Sequence, residues 1–205
     1  MVEYDEPGIF LILEQDPREL RDDMRRFNFD LRKLEDEGKM IVIDASLSRI
    51  KVGNFIHLPP SQTKSFSLTA DDLLNTERVV GIVMEAAERI NARRVVIDSL
   101  PALDKIIKKT EHVRDTMLDI NYMLKEKKLT SILVSDILSG GMAGYGVEEY
   151  VVDGVIELRY ITSGPDTGRS LVIKKMRGTR HSEDIHPIEF VQDEGIRVLS
   201  AEAGI

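Results

Sequence analysis

Residues 8–14, Gly8-Ile9-Phe10-Leu11-Ile12-Leu13-Glu14, decide the class of the fold. The apolar residues Ile9 to Leu13 follow one another without alternation, a pattern typical of a β-strand that is buried on both faces. Such strands belong to parallel sheets that carry helices on each side. The stretch therefore predicts a layered α/β protein in which Ile9–Leu13 is a central strand and Glu14 stands at its carboxyl end.

A helix is expected directly after this strand. Asp16 can cap its first turn, and Pro17 suits the first helical position because its missing N–H would have no partner there. Apolar residues then recur at steps of four and three along one face of the helix: Leu20, Met24, Phe27, Leu31 and Leu34. We expect a break near Asn28, a second cap at Asp30 and an end at Gly38.

Strands and helices continue to alternate as far as Asp136. Further strands are predicted at 40–43, 94–97 and 131–134, helices at 70–91 and 104–128, and a long irregular loop at 46–69. After a glycine-rich loop, strand-like segments follow with only short turns between them: 151–160, 169–176, 186–191 and 196–199. Because no helix pattern separates these segments, we expect them to pair antiparallel at one edge of the sheet.

The composition limits the classes of function. The 205 residues are 42% hydrophobic and 31% charged, as expected for a single globular domain with its own core. The absence of cysteine excludes disulfides and thiolate metal sites and favours a cytoplasmic protein. No apolar run reaches the ~18–20 residues that span a bilayer, so no membrane partner is expected. The net charge of −8 disfavours DNA as a partner, which leaves the glycine-rich loop at 139–146 and one basic strand as its only candidate contacts.

Polar residues follow three of the predicted strands: Glu14, Asp98, and Ser135 with Asp136. The carboxyl ends of parallel strands lie at one edge of a sheet, where open α/β sheets bind their ligands. Any one of these residues alone is more often a helix cap or a turn former. Their coincidence at three strand ends favours a functional site.

The stretch Arg93-Arg94-Val95-Val96-Ile97-Asp98-Ser99 has the form of a Walker B segment. In such a segment a short apolar strand holds the aspartate near a Mg²⁺ shell, although an apolar run followed by Asp is common in other proteins. The phosphate loop G-x-x-x-x-G-K-[ST] that should accompany it is not found in the 205 residues. Residues 164–170 have a superficial likeness to that loop, and we interpret them as a hairpin turn because a strand follows instead of a helix.

A basic segment without any acidic residue spans residues 169–181 of this acidic chain. It contains Arg169, Lys174, Lys175, Arg177, Arg180 and His181. If the strand continues through the segment, Lys175, Arg177 and Thr179 lie on one face, where they would suit a phosphate. A solvated strand edge is the alternative interpretation, and the residues alone leave both open. The four histidines show no zinc-binding spacing.

Several segments match a known family in order and spacing over nearly the whole chain: Glu6–Gln15, Phe27–Lys39, Val95–Leu100, Tyr145–Ile156 and Lys175–His181. On these segments, of which the last two are specific, the chain resembles the KaiC-like and RadA-like ATPases of the RecA superfamily, notably the short single-domain proteins of archaea. The resemblance implies one RecA-like domain over residues 1–205, with a mostly parallel central sheet flanked by helices and antiparallel C-terminal strands. It also implies ATP and Mg²⁺ as cofactors, and a homo-oligomer with a hexamer as one candidate size.

The resemblance further implies roles for individual residues. Glu14 matches the catalytic glutamate that orients or activates water against the γ-phosphate. Asp98 matches the Walker B carboxylate, which acts on Mg²⁺ largely through water. Lys175 and Arg177 match a pair that reaches the nucleotide of a neighbouring subunit, as an arginine finger does. The other residues expected at the nucleotide are Ser99, His181, and Ser135 near the position that senses the nucleotide state.

The chain departs from the family at two points. Where KaiC-like proteins usually have two adjacent glutamates, it has Glu14-Gln15, so we expect slow hydrolysis or none. The family also has its first strand, phosphate loop and first helix before the turn Glu6-Pro7-Gly8. We expect the sequence to start at an internal methionine of a longer gene, with a remodelled relative as the alternative. Two functions stay open: a nucleotide-dependent regulator in an oligomer, or a non-enzymatic assembly module that partners a RadA-like recombinase or a signalling complex.

Overall fold

The fold is described from a computed structural model, which defines residues 4–45, 76–104, 113–136, 148–163 and 166–200. The chain divides into two compact units. The first, which we call the parallel unit, comprises Met1–Asp22 and Asp30–Glu148. The second, the antiparallel unit, comprises Asp23–Phe29 and Glu149–Ile205.

The parallel unit is built on a sheet in which every neighbouring pair of strands is parallel. Its strands are β1 (Gly8–Ile12), β2 (Met40–Asp44), β3 (Arg94–Asp98) and β4 (Thr130–Leu133), in the spatial order β2-β1-β3-β4. Its helices are α1 (Pro17–Arg25), whose last residues belong to the antiparallel unit, α2 (Leu31–Asp36), α3 (Thr76–Arg89), α4 (Leu100–Asp104) and α5 (Val113–Glu126). The predicted layered α/β architecture with a parallel sheet is confirmed.

The capped and interrupted helix after β1 is also confirmed. The helix begins at Pro17, and the chain leaves the helical conformation at Asn28, whose φ is 65°. The Asp30 side chain then accepts a hydrogen bond of 3.1 Å from the backbone N–H of Lys33, which caps α2. Gly38 follows α2 with a φ of 70°, a left-handed conformation that glycine adopts without strain. These local signals set where the chain returns to the sheet as β2.

The main core cluster of the parallel unit lies on the face of β1 that carries Ile9, Leu11 and Leu13. Side chains from β1 and the residue after it are fully buried, together with side chains from the neighbouring strands and from α3 and α5: Ile9, Leu11, Leu13, Ile43, Val95, Ile97, Val79, Val83, Ile120 and Leu124. Burying each such side chain contributes about 1.5–3 kcal/mol. The ends of β1 and β3 are therefore held by a close-packed core, and so are the polar residues that follow them.

The predicted helix bounds differ from the structure in the second half of this unit. A short helix, α4, precedes the predicted helix 104–128, and α5 ends at Glu126. Three predicted stretches lie outside the described residues: the loop 46–69, part of the helices around 70–75 and 105–112, and the glycine-rich loop 139–146. In the part of the chain that the structure describes, no helix combines the length and apolarity that crossing a membrane requires.

The antiparallel unit consists of a one-turn helix and an antiparallel sheet. The helix is α6 (Glu148–Val151), and the strands are β5 (Gly154–Ser163), β6 (Asp166–Met176), β7 (His186–Val191) and β8 (Gly195–Val198), which neighbour one another in chain order. Ser163 pairs with Asp166, so the predicted hairpin between β5 and β6 is confirmed, with residues 164–165 themselves outside the described part.

Two details of the predicted C-terminal strands are wrong, whereas the predicted end of the strand 169–176 is confirmed. The four strands form a sheet of their own among the described residues, instead of extending one edge of the parallel sheet. The first of them starts at Gly154 and not at 151, because Val151 still belongs to α6. β6 ends at Met176, and Gly178 turns the chain with a φ of 69°. Lys175, Arg177 and Thr179 therefore do not alternate along one strand.

Candidate active site at the strand ends

Backbone hydrogen bonds hold together the segments that leave β1, β3 and β4. The Leu13 N–H donates to the Asp98 carbonyl at 2.7 Å, which joins the ends of β1 and β3. The Val134 N–H donates to the Ile97 carbonyl at 3.0 Å, and the Leu100 N–H donates to the Val134 carbonyl at 2.8 Å, which joins β3 to β4. The residues that follow the three strands are thus brought to one edge of the sheet, as predicted.

Ser99 and Glu14 are in direct contact at this edge. The Ser99 hydroxyl donates a hydrogen bond of 3.2 Å to Glu14 Oε2. Ser99 is only 4% exposed, and a buried hydroxyl requires a partner. The peptide bond between Asp98 and Ser99 is cis. The Ser99 hydroxyl, which lies between β3 and α4, therefore orients the carboxylate of Glu14.

Asp98 lies among other acidic groups. Burial raises the pKa of the Asp98 carboxyl above its usual range, and the negative charges of Glu14 and Asp136 raise it further. Carboxylates that crowd together in this way repel one another, and a bound cation relieves the repulsion. Sequence analysis noted Asp136 only as a polar residue after a strand, and the structure adds its electrostatic effect on Asp98.

The acidic residues fit Mg²⁺ in one particular way. Mg²⁺ usually keeps several waters and is held through one or two carboxylates together with phosphate oxygens. Among the described residues, no group of three or more His, Asp or Glu side chains has the arrangement of a protein-only metal site. Glu14 and Asp98 therefore fit an ion that is held largely through water and phosphate oxygens.

Ser135 contributes a further polar atom to the same region of the fold. It follows β4, and its Oγ is buried without a hydrogen-bond partner in the described part of the chain. Since buried hydroxyls normally have a partner, this atom fits a contact with water or with a ligand. The four predicted residues of the parallel unit thus lie at the carboxyl ends of its strands: Asp98 is the last residue of β3, and Glu14, Ser99 and Ser135 follow β1, β3 and β4.

The predicted residues of the antiparallel unit have partners within that unit. Lys175 Nζ donates to the Val152 carbonyl at 2.7 Å and to the Glu149 carbonyl at 2.8 Å. Arg177 Nη2 donates to the Tyr150 carbonyl at 3.1 Å, although the Arg177 side chain is 54% exposed. His181 Nδ1 is 3.0 Å from the Ser182 carbonyl, which can only accept. Lys175 and Arg177 therefore lie together, as predicted, and His181 has a contact of its own.

Sequence analysis missed the segment that holds Lys175 and Arg177. Residues 148–153 were assigned in part to a strand, whereas they form α6 and the bend after it. The dipeptide Asp153-Gly154 is a turn signal that could have placed the start of the strand correctly. The contacts themselves have no sequence signal, because they join side chains to backbone carbonyls more than twenty residues away.

Comparison with known proteins identifies the family. The family model described as ATPase: KaiC matches residues 1–203. A UPF0273 protein of Methanocaldococcus jannaschii is 35% identical over 97% of this chain and 77% of its own length. The circadian clock oscillator protein KaiC of Synechococcus elongatus is 32% identical over 97% of this chain, which spans 36% of that protein. The crystal structure of a KaiC-like protein from Pyrococcus horikoshii superposes with a TM-score of 0.78 at 31% identity and covers 97% of this chain and 78% of its own. This chain therefore belongs to the KaiC ATPase family and has its RecA-type α/β fold.

Proposed function

We propose that residues 1–205 belong to one ATPase domain, which, where a phosphate loop precedes them, binds ATP with Mg²⁺ and hydrolyses it slowly as a nucleotide-dependent regulator in a homo-oligomer. A hexamer is one candidate size. The observation that carries the proposal is the contact between the buried Ser99 hydroxyl and Glu14, beside Asp98, at the carboxyl edge of the parallel sheet. Ligands of open α/β folds bind at this edge.

In the proposed reaction Glu14 orients the attacking water. The Ser99 hydroxyl donates to one carboxylate oxygen of Glu14 and so restricts the orientation of the carboxylate. Mg²⁺, when bound, neutralises charge that develops on the phosphates. Asp98 holds the ion through water, and Ser135 offers its hydroxyl close to the end of β4. The proposed turnover is slow because the chain has Glu14-Gln15 where the family usually has two adjacent glutamates.

Lys175 and Arg177 supply positive charge to the nucleotide of a neighbouring subunit in this proposal, and His181 lies near them in sequence. An arginine finger that acts in trans stabilises the charge of the transition state. The half-exposed guanidinium of Arg177 supports this role, because a residue that acts on a neighbour has to be accessible.

The alternative is a non-enzymatic assembly module. Gln15 favours it, since it removes one of the two carboxylates that the family usually has, and so do the contacts of Lys175 and Arg177 with their own chain. Both proposed functions are compatible with the same fold, and they differ in whether the protein hydrolyses ATP.

The test compares ATP turnover and binding of a non-hydrolysable ATP analogue in the wild-type protein and in Glu14→Gln. We expect measurable turnover in the wild type, loss of turnover in Glu14→Gln, and analogue affinity within about twofold in both, because the ground-state contacts lie elsewhere. The control Glu19→Gln removes a carboxylate from an exposed position on α1 and should change neither quantity. Turnover in the wild type that Glu14→Gln abolishes would support the ATPase, whereas absence of turnover, with or without analogue binding, would refute it and favour the assembly module.

A further inference from the structure

The strand β5 lies at the edge of the antiparallel sheet, and one of its two sides has no strand beside it in the described part of the chain. Apart from an irregularity between Val155 and Ile156, β5 pairs with β6 as far as Ser163. The outer side of such a strand carries a row of backbone N–H and C=O groups that can pair with another strand. β5 has ten residues and therefore offers more of these groups than β8, the four-residue strand at the opposite edge.

One face of β5 is apolar and exposed. Ile156, Leu158 and Tyr160 alternate along the strand, and they are 57%, 52% and 67% exposed. A long edge strand that presents apolar side chains to water is a site at which sheets of different chains join, and proteins usually protect such edges with charges. Whether the charges of β5 prevent joining depends on the charges that they meet.

The two charged side chains of β5 lie on its other face and have opposite signs. Glu157 is only 7% exposed, and Arg159 donates to its two carboxylate oxygens at 2.7 and 2.8 Å. The bond from Arg159 lowers the pKa of the Glu157 carboxyl, so both groups are charged at neutral pH. Lys174 Nζ also lies 3.1 Å from Glu157. A strand that joins this edge therefore meets a fixed pair of opposite charges.

The order of these side chains selects one register for two copies of β5. A two-fold axis perpendicular to the sheet makes the two strands antiparallel and places each residue opposite a residue of the same face. If the axis passes at Glu157 or at Arg159, like charges lie directly opposite each other, which destabilises the pairing. If it passes at Leu158, Glu157 lies opposite Arg159 of the second copy, and this contact occurs twice. The four charges then alternate in sign, and the pair within each copy is kept.

The same register also matches the apolar face. Leu158 lies opposite Leu158 of the second copy. Ile156 lies opposite Tyr160 of the second copy, and pairs of a β-branched and an aromatic side chain stabilise antiparallel sheets. Joining at this edge therefore covers apolar side chains that are exposed in the single chain.

We propose that β5 is a self-association edge, at which a second copy of this chain adds its own β5 antiparallel and centred on Leu158. A second copy is the occupant because the order Ile-Glu-Leu-Arg-Tyr of residues 156–160 is complementary to itself when reversed. The contact is separate from the one proposed for Lys175 and Arg177, and it requires no nucleotide.

Single cysteines test the register, because the chain has no cysteine of its own. Under mild oxidation Leu158→Cys should give a disulfide-linked dimer on a non-reducing gel, since directly opposite side chains have Cβ atoms about 4.5–5.5 Å apart. Ile156→Cys alone should not cross-link, whereas its mixture with Tyr160→Cys should. The control Val198→Cys places a cysteine at a residue of nearly equal exposure on β8 and should not cross-link.

Sedimentation equilibrium of the 205-residue protein measures the strength of the contact. The wild type should form a dimer as its smallest associated species. Leu158→Lys places two positive charges opposite each other at the two-fold axis and should raise the dissociation constant of this dimer about tenfold or more. Val198→Lys makes the same change at the control position and should leave the constant unchanged.

Three results would each overturn the inference: a wild type that sediments as a monomer, a Leu158→Cys variant that does not cross-link, and association that Leu158→Lys does not weaken. The edge would then be left to another occupant, such as a strand of a different protein. Cross-linking of Ile156→Cys with itself would show another register and refute the proposed pairing of charges. None of these measurements involves ATP turnover, so this inference and the proposed function can fail independently.

Discussion

Glu14 and Asp98 in the parallel unit and Lys175 and Arg177 in the antiparallel unit are held by different kinds of contact. The acidic pair lies at the carboxyl ends of buried strands, which are joined by backbone hydrogen bonds such as that from Leu13 to Asp98. The basic pair reaches from the end of a hairpin to the carbonyls of a one-turn helix. The sheet fixes the first pair in place, whereas the second pair is held by side-chain hydrogen bonds to carbonyls of its own unit.

The largest expected effect tests whether the two pairs act on one phosphate from different subunits. Arg177→Ala should slow ATP turnover by roughly 10³-fold, the lower range for loss of an arginine finger. Glu14→Gln should abolish turnover by a different route, since it removes the group that orients water. When the two variants are refolded together, some interfaces combine an intact Glu14 with an intact Arg177, so part of the activity should return. Turnover of each variant alone and of the mixture is the measurement.

The control for this experiment mixes each variant with itself under the same refolding conditions. Co-assembly of the two variants is checked by capturing one of them through an affinity tag. A mixture that co-assembles and stays as inactive as its parents would contradict the shared site and leave Lys175 and Arg177 with a role within their own chain.

A smaller effect is expected for Ser99, which acts on the reaction only through Glu14. Ser99→Ala removes a hydrogen bond to a carboxylate, and such bonds contribute about 1.5–3 kcal/mol, so kcat should fall about tenfold or more. The analogue affinity should not change, because the ground-state contacts lie elsewhere. Ser99→Thr keeps the hydroxyl and should restore most of kcat. A change in KM with kcat intact, or failure of Thr to rescue, would assign Ser99 a structural role instead.

Sequence alone predicts the parallel unit better than the antiparallel one, for a physical reason. The apolar run Ile9–Leu13 and the cap at Asp30 are local signals, because burial on both faces and a side-chain acceptor act over a few residues. The separation of the C-terminal strands into a sheet of their own depends on pairing between distant segments. The partners of Lys175 are backbone carbonyls, which every residue has, so no residue type in the sequence marks them.

The candidate site shows the same division. Residues that end a strand, such as Glu14 and Ser135, are found by their position alone. The mutual effects of Glu14, Asp98 and Asp136 need distances, because the repulsion between carboxylates falls with separation. The sequence therefore predicts which acidic residues lie at the strand ends. Only the structure shows that Glu14 and Asp136 raise the pKa of Asp98.

The smallest expected effect concerns the pH dependence that this repulsion creates. Burial first, and then the charges of Glu14 and Asp136, raise the pKa of Asp98 in the folded protein. An acid whose pKa is higher when folded than when unfolded stabilises the fold fully below the unfolded pKa, and this stability is lost as the pH rises through the folded pKa. The pH window in which this stability is lost therefore begins in the usual pKa range of an aspartate carboxyl and extends above it.

Glu14→Gln removes one of the like charges while its amide oxygen can still accept from Ser99, so the pKa of Asp98 should fall towards its usual range. The variant should then be more stable than the wild type above this window, by only about 0.5 kcal/mol, because water screens a partly exposed carboxyl. Asp136→Asn should shift the pKa in the same direction and by less, since its charge has the smaller effect. Titration of the Asp98 carboxyl carbon by NMR, together with urea unfolding at several pH values, measures both quantities. If the titration curve of Asp98 were the same in the wild type and in Glu14→Gln, the charge of Glu14 would not act on Asp98. The two carboxylates would then not share a site.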